Sequence, residues 1–277
     1  MNVLEFSLLV WVGSFLAGFL GALTGLGGGV VIVPLLTSVF GVDIRYAIGA
    51  SLVSVIATSC GAASTYIRKG FANVRLGMFL EVATTTGAIV GALLATVISV
   101  KLLTIILAVV LLYSAYLAQQ PREESEVVEE PQPLAAHLQL TGTYPTSSGA
   151  MAYQAQSVPL GFGLMAIAGV LSGLLGIGSG ALKVLAMDQV MRLPFKVSTT
   201  TSSFTIGVTA AVSAGVYLSR GYIDPGLAMP VMLGVFPGAL LGARALVGTQ
   251  VNVLRIVFSL VLVVMSIKMV YNVVGGH

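Results

Sequence analysis

The residues whose types could do chemistry are few, and several of them stand inside apolar runs. Lys183 lies in GALKVLAMDQV, with Asp188 and Arg192 just beyond it, and Glu81 is the only deep carboxylate of the first half, in the apolar run 76–98. A charge in hydrocarbon is costly enough to be read first as functional, as a proton relay or a counter-charge for a substrate. Lys183 suits an anionic substrate, and Glu81 and Asp188 suit coupling or gating by proton transfer. The competing readings are structural. Glu81 or Asp188 pairs with Lys183, Asp188 bridges Arg192 at i,i+4 spacing, or the long side chains snorkel to the interface. Arg45 and Lys196 each open an apolar run and are expected near the mouths of a pathway, as anion attractors or as interface markers.

Two glycine clusters supply a second kind of chemistry, Gly25, Gly27, Gly28 and Gly29 ahead of Pro34, and Gly176, Gly178, Ser179 and Gly180. Apart from proline, glycine is the poorest helix former. A helix broken at membrane depth is tolerated only inside protein or beside a wet cavity. The helix that restarts there aims unpaired N–H groups and a positive dipole end into that space. Two such starts face to face make an anion site. Hydroxyls form a third group: Ser51, Ser54, Thr58 and Ser59, echoed by 199–203, Thr205 and Thr209. Ser51, Ser54 and Thr58 share one helical face. They suit a desolvated oxyanion or a water file, or else they bond their own helix carbonyls. The expected substrate site comprises both glycine clusters with Ser179, together with Ser51, Lys183, Thr201 and Ser202.

The elements that must position these groups are membrane helices. Hydrophobic residues make up 57% of the 277 and charged residues 8%, against about a quarter charged in soluble domains. Lipid is therefore the solvent. A net charge of +3 is too small and scattered for a nucleic-acid surface. The single cysteine, Cys60, excludes a disulfide framework. The first residues lack the basic region of a cleaved signal, so a retained membrane element is expected from residue 6. Apolar blocks run over 6–40, 46–66, 76–98 and 102–118, and again over 159–191, 197–218, 226–247 and 252–274. The expected division is a first transmembrane repeat at 1–118, an acidic Pro/Ser/Thr-rich solvated linker at 119–158, and a second repeat at 159–277. His137 in the linker is read as a surface histidine.

A shift of 151 places Ala17–Leu111 on Ala168–Leu262 without a gap, with about a quarter of positions identical and a glycine register kept across several segments. This is the mark of duplication. The first block of each half, about 35 residues, rises roughly 50 Å as helix against a core of about 30 Å. It should break at its glycines into a helix of about 19 residues and a shorter piece of about 13. If both pieces cross, each half has five passes and the second is inverted; if the short piece turns back, the halves are parallel. Five passes place Arg68, Lys69, Arg75, Arg122, Arg192, Lys196, Arg244 and Arg255 on one side and Arg45, Lys101, Arg220 and Lys268 on the other. That asymmetry favours inverted repeats, with the linker cytoplasmic and the termini outside.

Three stretches carry a family resemblance: GFLGALTGLGGGVVIVPLL at 18–36, GVLSGLLGIGSGALKVLAMD at 169–188 and KVSTTTSSFTIGVTAAVSAGVYLSRGYIDP at 196–225. Together they resemble the TauE/SafE family of sulfite exporters and related permeases. Two departures stand out: Ser179 in place of a glycine, and Leu185 where the first repeat has Pro34. They predict a second break less sharp than the first. The resemblance implies ATP-independent transport of sulfite, a sulfonate or sulfoacetate across the plasma membrane, without a cofactor and with proton coupling as an option. The residues alone reach only a small anionic solute carried by a monomer or homodimer. A passive channel of the same fold is the alternative. An intramembrane enzyme lacks histidines there, since only His137 and His277 exist, and has at most a Ser–Lys dyad. A passive assembly partner would leave paired breaks and buried charge without purpose. No P-loop is present, so the chain carries no ATP engine of its own.

Overall fold

The computed structural model describes residues 3–24, 27–68, 70–119, 135, 137–138, 140–146, 149–248, 259–260, 263–268 and 271. Its helices include α1 (Val3–Thr24), α2 (Gly29–Ser38), α3 (Ile44–Arg68), α4 (Val74–Val97), α5 (Val100–Gln119), α6 (Val158–Leu175), α7 (Gly180–Leu185), α8 (Phe195–Ser219) and α9 (Pro225–Gly248). A π turn, Ala186–Val190, continues α7. Six of these helices, α1, α3, α4, α6, α8 and α9, are long and apolar enough to cross a membrane. The chain is an all-α, multi-pass membrane protein.

Leucines, valines and isoleucines such as Leu9, Leu16, Val82, Val90, Leu93, Val109, Leu160 and Leu233 point outward, while the hydroxyls of α3 and α8 point inward. That pattern suits lipid outside and a polar interior. The helices approach closely through glycine. A Cβ at Gly234, Gly238 or Gly242 of α9 would strike the carbonyls of Trp11, Phe15 and Phe19 in α1. Gly87 and Gly91 of α4 meet Ala166 and Val170 of α6 in the same way, and Gly169 and Gly173 return the contact to Thr84 and Ala88. In lipid such close approach replaces the hydrophobic effect as the force between helices.

Each second-half helix mirrors one of the first half. α1 and α6 end at Thr24 and Leu175, α2 and α7 begin at Gly29 and Gly180, and α3, α8, α4 and α9 span 44–68, 195–219, 74–97 and 225–248. Every pair is 151 residues apart. Contacts also give the directions. The α1–α9 register above rises together in both helices, as do the contacts of α3, Gly49 with Tyr222 just ahead of α9 and Gly61 with Ala239 within it. Thus α1, α3 and α9 run the same way. In the other set, α4 follows α6 through its glycines and follows α8 through Asn73 with Thr201, Gly77 with Thr205 and Glu81 with Thr209. The two sets are antiparallel, since Val55 lies level with Ile206 while Ser59 bonds back to Ser203.

The broken blocks are hairpins. Gly28 lies beside Gly18, Leu35 against Gly13, and Phe40 against Phe6 at 5.3 Å between ring centroids. In the second half the Gln156 N–H donates to the Met191 carbonyl at 3.0 Å. Each block therefore leaves one face and comes back to it. The pieces have 22 and 10 residues in the first half. Ten residues rise about 15 Å, half the hydrocarbon core. The second break is a sharp turn despite Ser179 and Leu185, and residues 25 and 26 of the first break lie outside the described residues. Gly176, Gly178 and Ser179 all hold positive φ, at 65°, 74° and 48°, because three left-handed residues in four turn the chain without needing proline.

Part of the stretch expected as a linker is folded. Within 119–158, β1 (Thr141–Thr146) and β2 (Gly149–Gln154) pair as an antiparallel hairpin. Leu140, Tyr144 and Ala155 are buried, and Leu140 and Ala155 pack in one cluster with Leu76, Leu80, Met187, Met191 and Leu193. This part is a docked cap and not a solvated tether. His137 is exposed, and the acidic stretch 121–131 lies outside the described residues. Asn73 clamps the cap. Its Oδ1 accepts the Leu76 N–H at 3.0 Å, its Nδ2 donates to the Tyr153 hydroxyl at 3.0 Å, and its own N–H donates to Thr201 Oγ1 at 3.0 Å. Burial raises the Tyr153 pKa, and the Asn73 contact partly offsets it. Asn73→Ala removes a helix cap and a side-chain hydrogen bond together. An expected loss of about 1–2 kcal/mol would register as a lower unfolding midpoint in detergent, with Gln156→Ala, whose contact is through backbone, unchanged.

Candidate transport site

The two breaks meet where α3 crosses α8. Gly27, with φ 80°, and Gly178 both abut Val55 and Ile206. Gly29 lies against the Gly176 carbonyl. The Ser51 hydroxyl donates to that carbonyl at 2.7 Å, so a first-half side chain satisfies the second-half break. Its repeat counterpart, Ser202, reaches the Gly180 carbonyl more loosely, at 3.5 Å. Gly28 faces the Thr58 hydroxyl. Beside the first break a narrow cleft is lined by Gly21, Gly27, Thr58, Ser59 and Ser203 among others. Gly25 lies outside the described residues.

Lys183 is fully buried and paired with Glu81, Nζ to Oε2 at 3.2 Å. Its ammonium also donates to Thr209 Oγ1 at 2.6 Å. Thr209 in turn donates to Glu81 Oε1 in a short hydrogen bond. Thr84 donates to Oε2 at 2.9 Å and Thr85 to Oε1 at 3.3 Å. Four donors from three elements thus hold one carboxylate. Removing water makes such a pair strong only when every partner is in place. Of the pairings open to Lys183, the structure takes Glu81. Thr84 and Thr85 were absent from the expected site, although their i+3 and i+4 spacing from Glu81 is a readable signal.

Other expected residues fall elsewhere. Thr201 is spent on the Asn73 N–H at the hairpin cap, because its face of α8 turns toward the start of α4. Lys196 is exposed at the start of α8. Arg45 donates to the Ile98 carbonyl at 3.3 Å and stacks over Tyr222 at 5.6 Å, an anchoring role at a helix end. Asp188 is buried in the π turn. Much of the hydroxyl stripe bonds its own helix: Ser54 to Ser51 O at 2.7 Å, Thr58 to Ser54 O at 2.8 Å and Ser203 to Thr199 O at 3.0 Å. Ser59 is different, donating across to the Ser203 carbonyl at 2.7 Å.

Ser179 carries two costs at once. It is left-handed, and its buried hydroxyl has no hydrogen-bond partner among the described residues. Ser179→Gly restores the residue found at the matching position 28 and removes both. Stability should rise by about 1 kcal/mol, read as a higher unfolding midpoint. If that hydroxyl serves the solute, the apparent KM for transport rises in the same variant.

An apolar helical shell around two helix breaks and a buried ion pair is the construction of a membrane transporter. The chain belongs to the family described as sulfite exporter TauE/SafE, whose profile matches residues 10–269. It is 26% identical to the probable membrane transporter protein YunE of Bacillus subtilis (strain 168), over 97% of this chain and 98% of that one. Against the probable membrane transporter protein YdhB of the same strain it is 28% identical, over 86% and 89%. A probable membrane transporter protein, ORF9 of Sinorhizobium sp, is 23% identical over 97% and 95%. No solved structure matches the chain.

Proposed function

We propose that this protein is a secondary transporter of a small sulfur oxyanion, such as sulfite, a sulfonate or sulfoacetate, in the plasma membrane. The observation that carries the reading is the fully buried Lys183 ammonium held at the second helix break. A cation kept dry at that cost is a counter-charge for an anion, and the family name supplies the sulfur chemistry. Glu81 couples transport to protons. Inverted repeats fit best, with five passes per half. They are supported by the return of each broken block to its starting face and by the common direction of α1, α3 and α9. Alternation of the site between faces then follows from exchanging the two halves' conformations. A Ser–Lys hydrolase is disfavoured because the ammonium is committed to Glu81 and a threonine.

Purified protein in liposomes, given labelled sulfite or sulfoacetate with and without an imposed pH gradient, tests this. Accumulation that follows the gradient supports a coupled carrier. Flux of either anion that ignores the gradient indicates a channel, and flux of neither removes the substrate assignment.

A further inference from the structure

Glu81 occupies the place an oxyanion would take. Its two oxygens receive the Lys183 ammonium, Thr84, Thr85 and Thr209. An ammonium with several hydroxyls is the donor set that binds a sulfonate or sulfite oxygen face. Resting on the transport reading above, we propose that the substrate anion replaces the Glu81 carboxylate on Lys183, and that Glu81 then takes up a proton, so one proton travels with each anion.

Three features support this exchange. Lys183 is fully buried, so a moment without a negative partner leaves an unpaired charge in low dielectric, and the two anions must trade places. A second anion beside an ionised Glu81 would put two negative charges on one ammonium, which protonation of Glu81 relieves. One turn ahead of Lys183 stands Ser179, whose buried hydroxyl has no hydrogen-bond partner among the described residues. The repeat also isolates the pair. Ile32 and Met232 stand at the positions matching Lys183 and Glu81, whereas Thr209 is matched by Thr58. Thr58 lines the cleft at the first break, so the other half keeps the hydroxyl and the space without the charges.

Few other ionisable groups face Glu81. Among the described residues α6 carries none, and α7 brings Lys183 with Asp188 on the π turn behind it. Around Thr209, α8 offers hydroxyls, with Tyr217 two turns on and Lys196 at the far start. The step is balanced. An O–H bond forms on a Glu81 oxygen with a proton from solvent, Lys183 stays an ammonium, and no electron moves.

Sulfoacetate and methanesulfonate, which do not titrate near neutrality, are the probes. Binding to wild-type protein in nanodiscs is followed by calorimetry, and proton uptake in weak buffer by an indicator dye. About one proton should be taken up per anion bound, and affinity should fall about tenfold per pH unit on the alkaline side. Glu81→Gln should bind with no proton uptake and a flat pH dependence. Wild-type binding without proton uptake overturns the exchange while leaving anion transport intact. Proton uptake persisting in Glu81→Gln also overturns it. Absence of binding by either probe overturns both the exchange and the sulfonate reading. The wild-type measurement decides even where Glu81→Gln fails to fold.

Discussion

Lys183→Met should cost about 3–5 kcal/mol of stability, and Lys183→Met combined with Glu81→Gln should recover most of it. The single change keeps the length of the side chain but strands the Glu81 carboxylate among threonines with no cation. Hydroxyls alone do not balance a dry negative charge. Glutamine in its place keeps the carbonyl acceptor for Thr84, Thr85 or Thr209 and drops the charge. A buried ion pair exchanged for a neutral pair of similar volume is often close to neutral in stability. Thermal unfolding in detergent, with the pair treated as a double-mutant cycle, gives both numbers. Equal destabilisation of single and double variants would mean that packing, and not charge, governs this site.

Gly91→Ala is the second large effect. A Cβ there collides with the Val170 carbonyl and sits 2.9 Å from the Leu174 N. Both neighbours are helix backbone, which cannot swing aside, so α4 and α6 must separate along their length. The loss exceeds the roughly 1–3 kcal/mol of ordinary overpacking, and the yield of monodisperse protein should collapse. Gly163 of α6 is the control. A Cβ there meets nothing within 4 Å, so Gly163→Ala should be neutral or stabilising by up to about 1 kcal/mol. Size-exclusion profiles of the two variants side by side separate a specific contact from a general dislike of alanine for glycine.

The contrast between those glycines explains what could be read before the structure. Gly87 and Gly91, like Gly238 and Gly242, stand one helical turn apart in the sequence, and small residues so spaced bring helices close wherever a partner lies. The glycine clusters at 27–29 and 176–180 announced breaks for an equally local reason. The partner of Lys183 was not legible, because Glu81 is 102 residues away and Asp188 is equally compatible with sequence spacing. Only the crossing of α4, α7 and α8 chooses between them. Thr201 illustrates the opposite error. It belongs to a hydroxyl-rich run, but a change of one residue on a helix turns the side chain by about 100°, here toward Asn73. The β hairpin was hidden because its strands are six residues each, one with Pro145 inside. Its stability comes from docking on α4 and the π turn, not from its own pattern.

The arrangement joins two kinds of cost. Helix breaks at membrane depth give up backbone hydrogen bonds, and Ser51 returns one of them by bridging to Gly176. The ion pair gives up hydration, and three threonines return part of that. The breaks sit where α3 and α8 cross, and the ion pair sits close by where α4 and α7 meet α8.

The most direct test of the central claim is labelled sulfite uptake into liposomes by wild-type protein and by the Lys183→Met/Glu81→Gln variant, matched for folded protein by size exclusion. Wild-type uptake with none by the folded double variant is the predicted result. Uptake by the double variant at the wild-type rate would contradict it, and would place the anion's path away from Lys183.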